Sequence, residues 1–214
     1  MPRLVWFLLP LAASAFGALQ QGGYPNLRRA GVVPDPGVAW YQQCLRVQPR
    51  QMPVRELVAF GRFPHSGGRL TPADHRLVDE AMAWFELGPL ADRHLDQLSG
   101  GQRQRAYVAM VMCQGTDHVL LDEPLNNLDM RHAVQMMRML RGMADELGRT
   151  VVLVVHDVNV ASCYSDRIVA IREGQLVAEG PTSELMTPEL LRKVFDVEVE
   201  VHELAGRRIG VPWS

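Results

Sequence analysis

The sequence predicts an α/β fold with parallel core strands, a helical subdomain ahead of them and a C-terminal β-hairpin region. Three observations predict it. Two unbroken apolar runs, His118 to Asp122 and Thr150 to Val155, have the continuous character of strands covered on both faces. Between them Asp129 to Leu147 reads as one helix, which makes the unit strand-helix-strand. Beyond them Glu173-Gly174 separates Ile168–Ile171 from Gln175–Ala178, a hairpin signal.

The chain has 214 residues, 22 basic and 24 acidic, with a formal net charge of -2. That length supports one domain or two small ones with a substantial core. A near-neutral balance without a basic block excludes a nucleic-acid binder from the reading. Cys44, Cys113 and Cys163 are widely spaced and form no C-x-x-C pair. They argue against a disulfide framework and against a zinc site, and they fit a reducing compartment. The basic residues comprise 21 arginines and one lysine, Lys193. Any chemistry that needs a lysine must therefore find it there.

In chain order, Arg3 precedes an apolar run from Leu4 to Leu19 that ends in small residues around Ala13-Ser14-Ala15. The pattern resembles a secretory leader, and the run is shorter than the ~20 residues of a membrane span. Residues 20–53 are broken by Gly22-Gly23, Pro25, Pro34, Pro36, Pro49 and Pro53, and no helical or strand period survives them. Residues 1–52 are accordingly left as an atypical N-terminal segment. From Val54 the grammar changes. Val54, Leu57, Val58 and Gly61 suggest a short helix. Thr71 caps a second that begins at Pro72 and buries Leu77, Val78, Ala81, Met82 and Phe85. Met136, Met137, Met139 and Met143 are packing residues of the Asp129–Leu147 helix. At the end of the chain Val197, Val199 and Val201 alternate with charges before Ala205-Gly206 turns into Ile209-Gly210-Val211.

Three stretches carry chemistry. Leu98-Ser99-Gly100-Gly101-Gln102 runs into an arginine-rich helix. A Ser-Gly-Gly step at a helix start offers backbone N–H groups and a hydroxyl at the positive end of the dipole, and its glycines let an anion approach. Arg103 and Arg105 behind it read as a solvated or helix-supporting pair. Val119-Leu120-Leu121 feeds directly into Asp122-Glu123-Pro124, placing two carboxylates at the C-terminal end of a buried strand, where open α/β sheets bind ligands. The first suits Mg²⁺ and the second an attacking water. His156 closes the second strand, where an imidazole can donate to a phosphate oxygen. His65, His75, His94, His118, His132 and His202 lack ligand spacing.

In order and spacing these residues resemble the nucleotide-binding subunit of an ABC transporter. Leu98–Gln102 matches the family's signature, Leu120–Pro124 its Walker B strand, Asn127-Leu128-Asp129 its D-loop and His156 its H-loop. Val54-Arg55-Glu56-Leu57, Gly61-Arg62-Phe63-Pro64 and Leu125-Asn126-Asn127-Leu128-Asp129-Met130 are similar to the ferric-siderophore importer branch, as are Asp157–Asp166 and the stretch from Val201-His202-Glu203 to Val211. The resemblance covers residues 53–214 and implies an incomplete P-loop NTPase (ABC ATPase) fold. Its parts would be a helical subdomain over about 54–97, a core over about 98–180 and a C-terminal segment over 181–214. It implies ATP and Mg²⁺ as cofactors, with Ser99, Gly100, Gly101 and Gln102 touching the γ-phosphate of nucleotide held mainly by a second ATPase subunit. By the same resemblance Asp122 serves the metal, Glu123 the water, His156 the γ-phosphate, and Asp129 lies near the dimer seam. The partners implied are membrane permease subunits and, indirectly, a substrate-binding protein. The location implied is peripheral, on the cytoplasmic face of the inner or plasma membrane, which weighs against the leader reading.

One family element is absent. No G-x-x-x-x-G-K-[ST] loop occurs in the 214 residues, and neither Gly22-Gly23 nor Ser66-Gly67-Gly68 is followed by a lysine and a hydroxyl. That cradle supplies much of the nucleotide grip and neutralises transition-state charge. No glutamine among Gln42, Gln43, Gln48 and Gln51 sits in a convincing glutamine-loop context. Residues 1 to about 50 thus read as replacing the family's N-terminal third, as a shifted frame, a misplaced start or a truncated gene would do. Two readings follow: an ATPase subunit for iron-chelate uptake, or a non-catalytic remnant that keeps the signature face and cannot bind ATP alone. Ancestry points to the first and the chemistry of this polypeptide to the second. Without the N-terminal strands, the sheet over 118–171 is expected to lack part of its cover.

Overall fold

The computed structural model describes residues 4–8, 39–40 and 52–212. Ala13-Ser14-Ala15, Gly22-Gly23 and the four candidate glutamines lie outside them. The chain divides into two compact units, residues 37–149 and residues 1–36 with 150–214.

Strand β1 (Leu4–Leu8) belongs to the second unit, and in the unit 37–149 strand β2 (Ala39–Trp40) pairs in parallel with β3 (His118–Asp122). Helices α1 (Val54–Phe60), α2 (Phe63–Ser66), α3 (Pro72–Trp84) and α4 (Gly100–Cys113) precede β3, and α5 (Met130–Asp145) follows it. The expected start of α3 is realised as a full capping box: Thr71 Oγ1 accepts from the Asp74 N–H at 3.3 Å, and Asp74 Oδ2 accepts from the Thr71 N–H at 2.9 Å. Val54, Leu57 and Val58 of α1, Val78, Ala81 and Met82 of α3, and Ala106 to Val111 of α4, Tyr107 excepted, are buried together as one apolar core. Gly61 makes that packing possible, because a Cβ there would lie 2.1 Å from the Met110 carbonyl oxygen. Arg62 locks the same corner. Its Nε donates to Asp74 Oδ1 at 2.8 Å, and its Nη1 donates to the carbonyls of Cys113 and Gln114 at the end of α4, at 3.1 and 2.9 Å. Met136, Met137 and Met143 of α5 are buried, as packing methionines should be. Trp84 Nε1 donates to the Met139 carbonyl at 3.2 Å and ties α3 to α5.

The second unit holds a sheet with strand order β4-β1-β5-β6, from β4 (Thr150–Val155), β1 (Leu4–Leu8), β5 (Arg167–Arg172) and β6 (Gln175–Pro181). Residues 4–8, which read from sequence as leader-like, form an inner strand parallel to both neighbours, with Trp6 opposite Leu153 on one side and Ile168 on the other. The expected gap in the sheet is corrected accordingly for this unit: Val151 to Val155 and Ile168 to Ile171 are all buried. An apolar run rich in bulky residues suits such a doubly flanked position. β6 returns antiparallel through Glu173-Gly174, both at positive φ (51° and 75°), the type I′ geometry that matches strand twist. Ala205-Gly206 does the same (51° and 71°) between β7 (Glu200–Leu204) and β8 (Arg207–Val211). Helices α6 (Val158–Tyr164), α7 (Thr182–Leu185) and α8 (Pro188–Phe195) complete the unit. The Asn159 amide fixes β8 on α6, donating to the Gly210 carbonyl at 2.9 Å and accepting from its N–H at 2.7 Å. Among the described residues no helix is long and apolar enough to cross a membrane.

Candidate functional site

Ser99 is extended (φ -62°, ψ 160°) and starts α4 with a reciprocal cap. Its Oγ accepts from the Gln102 N–H at 3.3 Å, and its own N–H donates to Gln102 Oε1 at 3.0 Å. The hydroxyl that the sequence offered to an anion thus also serves the helix as an acceptor, and its own hydrogen can still be donated. The N–H groups of Gly100 and Gly101, in the first turn, have no intrahelical acceptor by geometry and remain the natural anion donors. Around Gly100 the space is open, since a Cβ there would approach only the Asn127 carbonyl oxygen, at 3.8 Å. Gly101 is different. It is buried, and a Cβ would stand 2.8 Å from both Cγ and Cδ2 of His132. The Cβ side of Gly101 is thus filled by a neighbouring imidazole.

Arg103 and Arg105 support this helix, Arg103 while remaining exposed and Arg105 half-buried. Arg103 Nε donates to the Leu95 carbonyl at 3.1 Å, and Arg105 Nη1 meets Glu86 Oε2 at 3.2 Å with its side chain only 12% exposed.

Asp122 ends β3 as a buried residue, 9% exposed. Glu123 follows in the left-handed region (φ 48°), as does Asn127 (φ 61°), two non-glycine residues bent that way within five. Such a backbone persists where surrounding bonds hold it. Here the Asn126 side-chain amide donates to Glu123 Oε2, the Asn126 N–H donates to the Glu123 carbonyl at 3.2 Å, and the Leu128 N–H to the Leu125 carbonyl at 3.2 Å. The turn delivers Asp129 as the N-cap of α5. Asp129 Oδ1 accepts from the His132 N–H at 2.8 Å and faces His132 Nδ1 at 2.8 Å. Those bonds, the backbone one foremost, hold the Asp129 carboxyl below its usual range, so it is ionised near neutrality. Beside it Met130 is 84% exposed.

The structure thus brings Gly101 against His132 and Gly100 near Asn127, with Ser99 and Gln102 capping the same helix start, and sets Asp122 and Glu123 at one strand end. His156 belongs to the other unit, exposed at the end of β4, followed by Asp157, which caps α6 through the N–H groups of Asn159 (2.8 Å) and Val160 (3.1 Å). Sequence reasoning set His132 aside as one more histidine without ligand spacing. Its position three residues after a capping aspartate was the available signal. Among the described residues no cluster of three or more His, Cys, Asp or Glu is placed to hold a metal. Asp122 offers the hard oxygen donors that Mg²⁺ takes in small number when phosphates supply the rest.

Residues 28–126 match the ABC transporter family. The chain is 47% identical over 164 residues to the petrobactin import ATP-binding protein YclP of Bacillus subtilis, covering 77% of this chain and 65% of that protein. Over about three quarters of its length the chain is similar to ATP-binding proteins of ABC transporters. It is also 39% identical over 168 residues to the ferric enterobactin transport ATP-binding protein FepC of Escherichia coli, covering 77% of this chain and 62% of FepC. It therefore spans less than two thirds of the length of either relative. Among solved structures, an ABC transporter described as of metal-chelate type, in an inward-facing conformation, superposes with a TM-score of 0.78 at 21% identity, over 98% of this chain and 87% of that one. CbiO1 of Clostridium perfringens, part of the ABC transporter complex cbiONQ, gives 0.67 at 21% identity, over 89% and 82%. The fold is that of an ABC ATPase: parallel core strands, a helical region and C-terminal antiparallel hairpins.

Proposed function

We propose that this chain is an ATPase subunit of an importer for ferric siderophores that contributes its signature face, in trans, to nucleotide gripped by a partner subunit. The observation that carries the reading is the joined surface of the Ser99–Gln102 turn and the Asn127–Asp129 turn, with Met130 exposed beside it. Two donor N–H groups, an ionised aspartate and an exposed apolar side chain on one face suit a subunit seam around a phosphate. The cargo reading rests on relatives named for petrobactin, iron(3+)-hydroxamate and enterobactin import. The stacked pair Phe60 and Phe63, with ring centroids 5.4 Å apart and 40% and 51% exposed, offers an apolar foothold for a membrane permease on the cytoplasmic face.

MgATP, when bound, supplies the phosphoryl group whose transfer to water drives the cycle. On this chain the Gly100 and Gly101 N–H groups would meet the γ-phosphate, with Ser99 and Gln102 holding that turn in shape, and Asp129 would lie on the seam. Asp122 and Glu123 would serve the opposite site as a metal-holding carboxylate and a proton acceptor for the attacking water, and His156, by the family resemblance, would be a donor to a γ-phosphate. That second site needs a phosphate loop from this same chain, and the 214 residues contain none. It is therefore silent in a mixed dimer, and only the site completed by the signature works.

The test is association. Fluorescently labelled full chain is sedimented with YclP, chosen as a relative expected to carry its own phosphate loop, with and without MgATP. Complex formation that depends on MgATP is expected. Gly100→Asp, which fits the open space but sets a carboxylate against the phosphate, should abolish it, and Glu123→Gln should leave it intact. Sedimentation indifferent to MgATP, or dependence on Glu123 rather than Gly100, contradicts the proposal.

A further inference from the structure

The close pass of Gly101 and His132 has a consequence beyond the proposed role of the signature turn, and its functional side rests on that role. We infer that His132 is a positioning residue, clamping the start of α4 to the Asp129 turn so that both surfaces present to a partner as one piece.

Three contacts support it. The imidazole is anchored on one side by Asp129, whose Oδ1 takes the His132 backbone N–H and faces Nδ1, both at 2.8 Å. Asp129 is ionised and accepts only, so Nδ1 carries a hydrogen and the ring cannot turn over without losing that bond. On the other side Cγ and Cδ2 fill the place of a Cβ on Gly101. The contact involves the base of the ring and not the tip of a flexible chain, and His132 Cβ itself would be 3.2 Å away. A methyl group at 101 must therefore displace the ring, the helix start or both. The residue at 101 is glycine because His132 is there, whereas the open space at Gly100 is left for a ligand. The third is looser: a Cβ at 100 would come within 3.8 Å of the Asn127 carbonyl oxygen, so the two turns run side by side there with open space between them.

The pair can be tested by a double-mutant cycle on the full chain, with Gly101→Ala, His132→Ala and both together, each unfolded in urea without nucleotide. Helix propensity alone favours alanine over glycine, so a lowered midpoint for Gly101→Ala reports the clash. The clamp predicts that His132→Ala removes this penalty, leaving the double variant no less stable than His132→Ala. Additive losses would overturn the packing half of the inference. Two further readouts separate positioning from simple stability. Nitrogen-correlated imidazole NMR should show His132 fixed with hydrogen on Nδ1, and Asp129→Ala, which removes the acceptor, should release it. An averaged tautomer in the wild type would contradict the anchor. In the MgATP-dependent association with YclP, His132→Ala should weaken binding by about tenfold at temperatures where it remains fully folded. Unchanged affinity would overturn the functional half. If the wild-type chain shows no MgATP-dependent association, the proposed role fails, while the cycle and the NMR still decide the clamp.

Discussion

Arg62 shows how a single side chain can organise a corner that sequence patterns do not reveal. Its guanidinium joins Asp74 and the last carbonyls of α4, while Asp74 also closes the cap on Thr71. Hydrogen bonds from Thr71, backbone then hydroxyl, and then from Arg62 lower the Asp74 carboxyl from its ordinary value of 3.8 to about 2. A depressed acid stabilises the fold fully above the ordinary value, and the contribution is lost as pH falls through about 2. Measured as wild type minus Asp74→Asn, the stability difference should be flat above pH 4 and shrink between about pH 4 and pH 2. A difference that stays constant over that window would contradict the assignment. At this scale the sequence was partly legible. Thr71 announced itself as a cap by its place before Pro72 and an apolar period, whereas the capping roles of Ser99 and Asp129 emerged only with their hydrogen bonds. The reason for Gly101 was hidden, because it depends on His132, thirty-one positions away.

At the level of elements, periodicity carried most of the reading. The buried runs at 118–122 and 150–155 became β3 and β4, and the amphipathic run after Asp129 became α5. Both hairpins formed on the turn pairs the sequence offered. What escaped were elements whose identity comes from their neighbours. Leu4–Leu8 looks like an apolar leader until β4 and β5 flank it, and Ala39–Trp40 is too short to show any period. The cap at Ser99 gives a direct test of how the signature helix begins. Ser99→Ala removes the acceptor for the Gln102 N–H and should cost about 1 kcal/mol in urea unfolding. Ser99→Asp, which restores an acceptor, should recover most of it. Equal losses for both substitutions would mean that the cap is not what holds the turn.

For the whole molecule, the proposed function rests on one missing element and one that is present. The chain has a single lysine, Lys193, in the last turn of α8, where it cannot stand in a phosphate loop. It also has a Ser99–Gln102 turn braced against the Asp129 turn. The family fold was legible because its motifs fall at strand ends and helix starts, which local pattern marks well. The partner was not, since a subunit seam leaves only exposed residues such as Met130, and exposure alone names no occupant. The account holds that the surface for the terminal phosphate survives while the pocket for the nucleotide does not. Calorimetric titration of MgATP into the isolated full chain tests this most directly. No saturable heat is the predicted result, and one-to-one binding with micromolar affinity would contradict it.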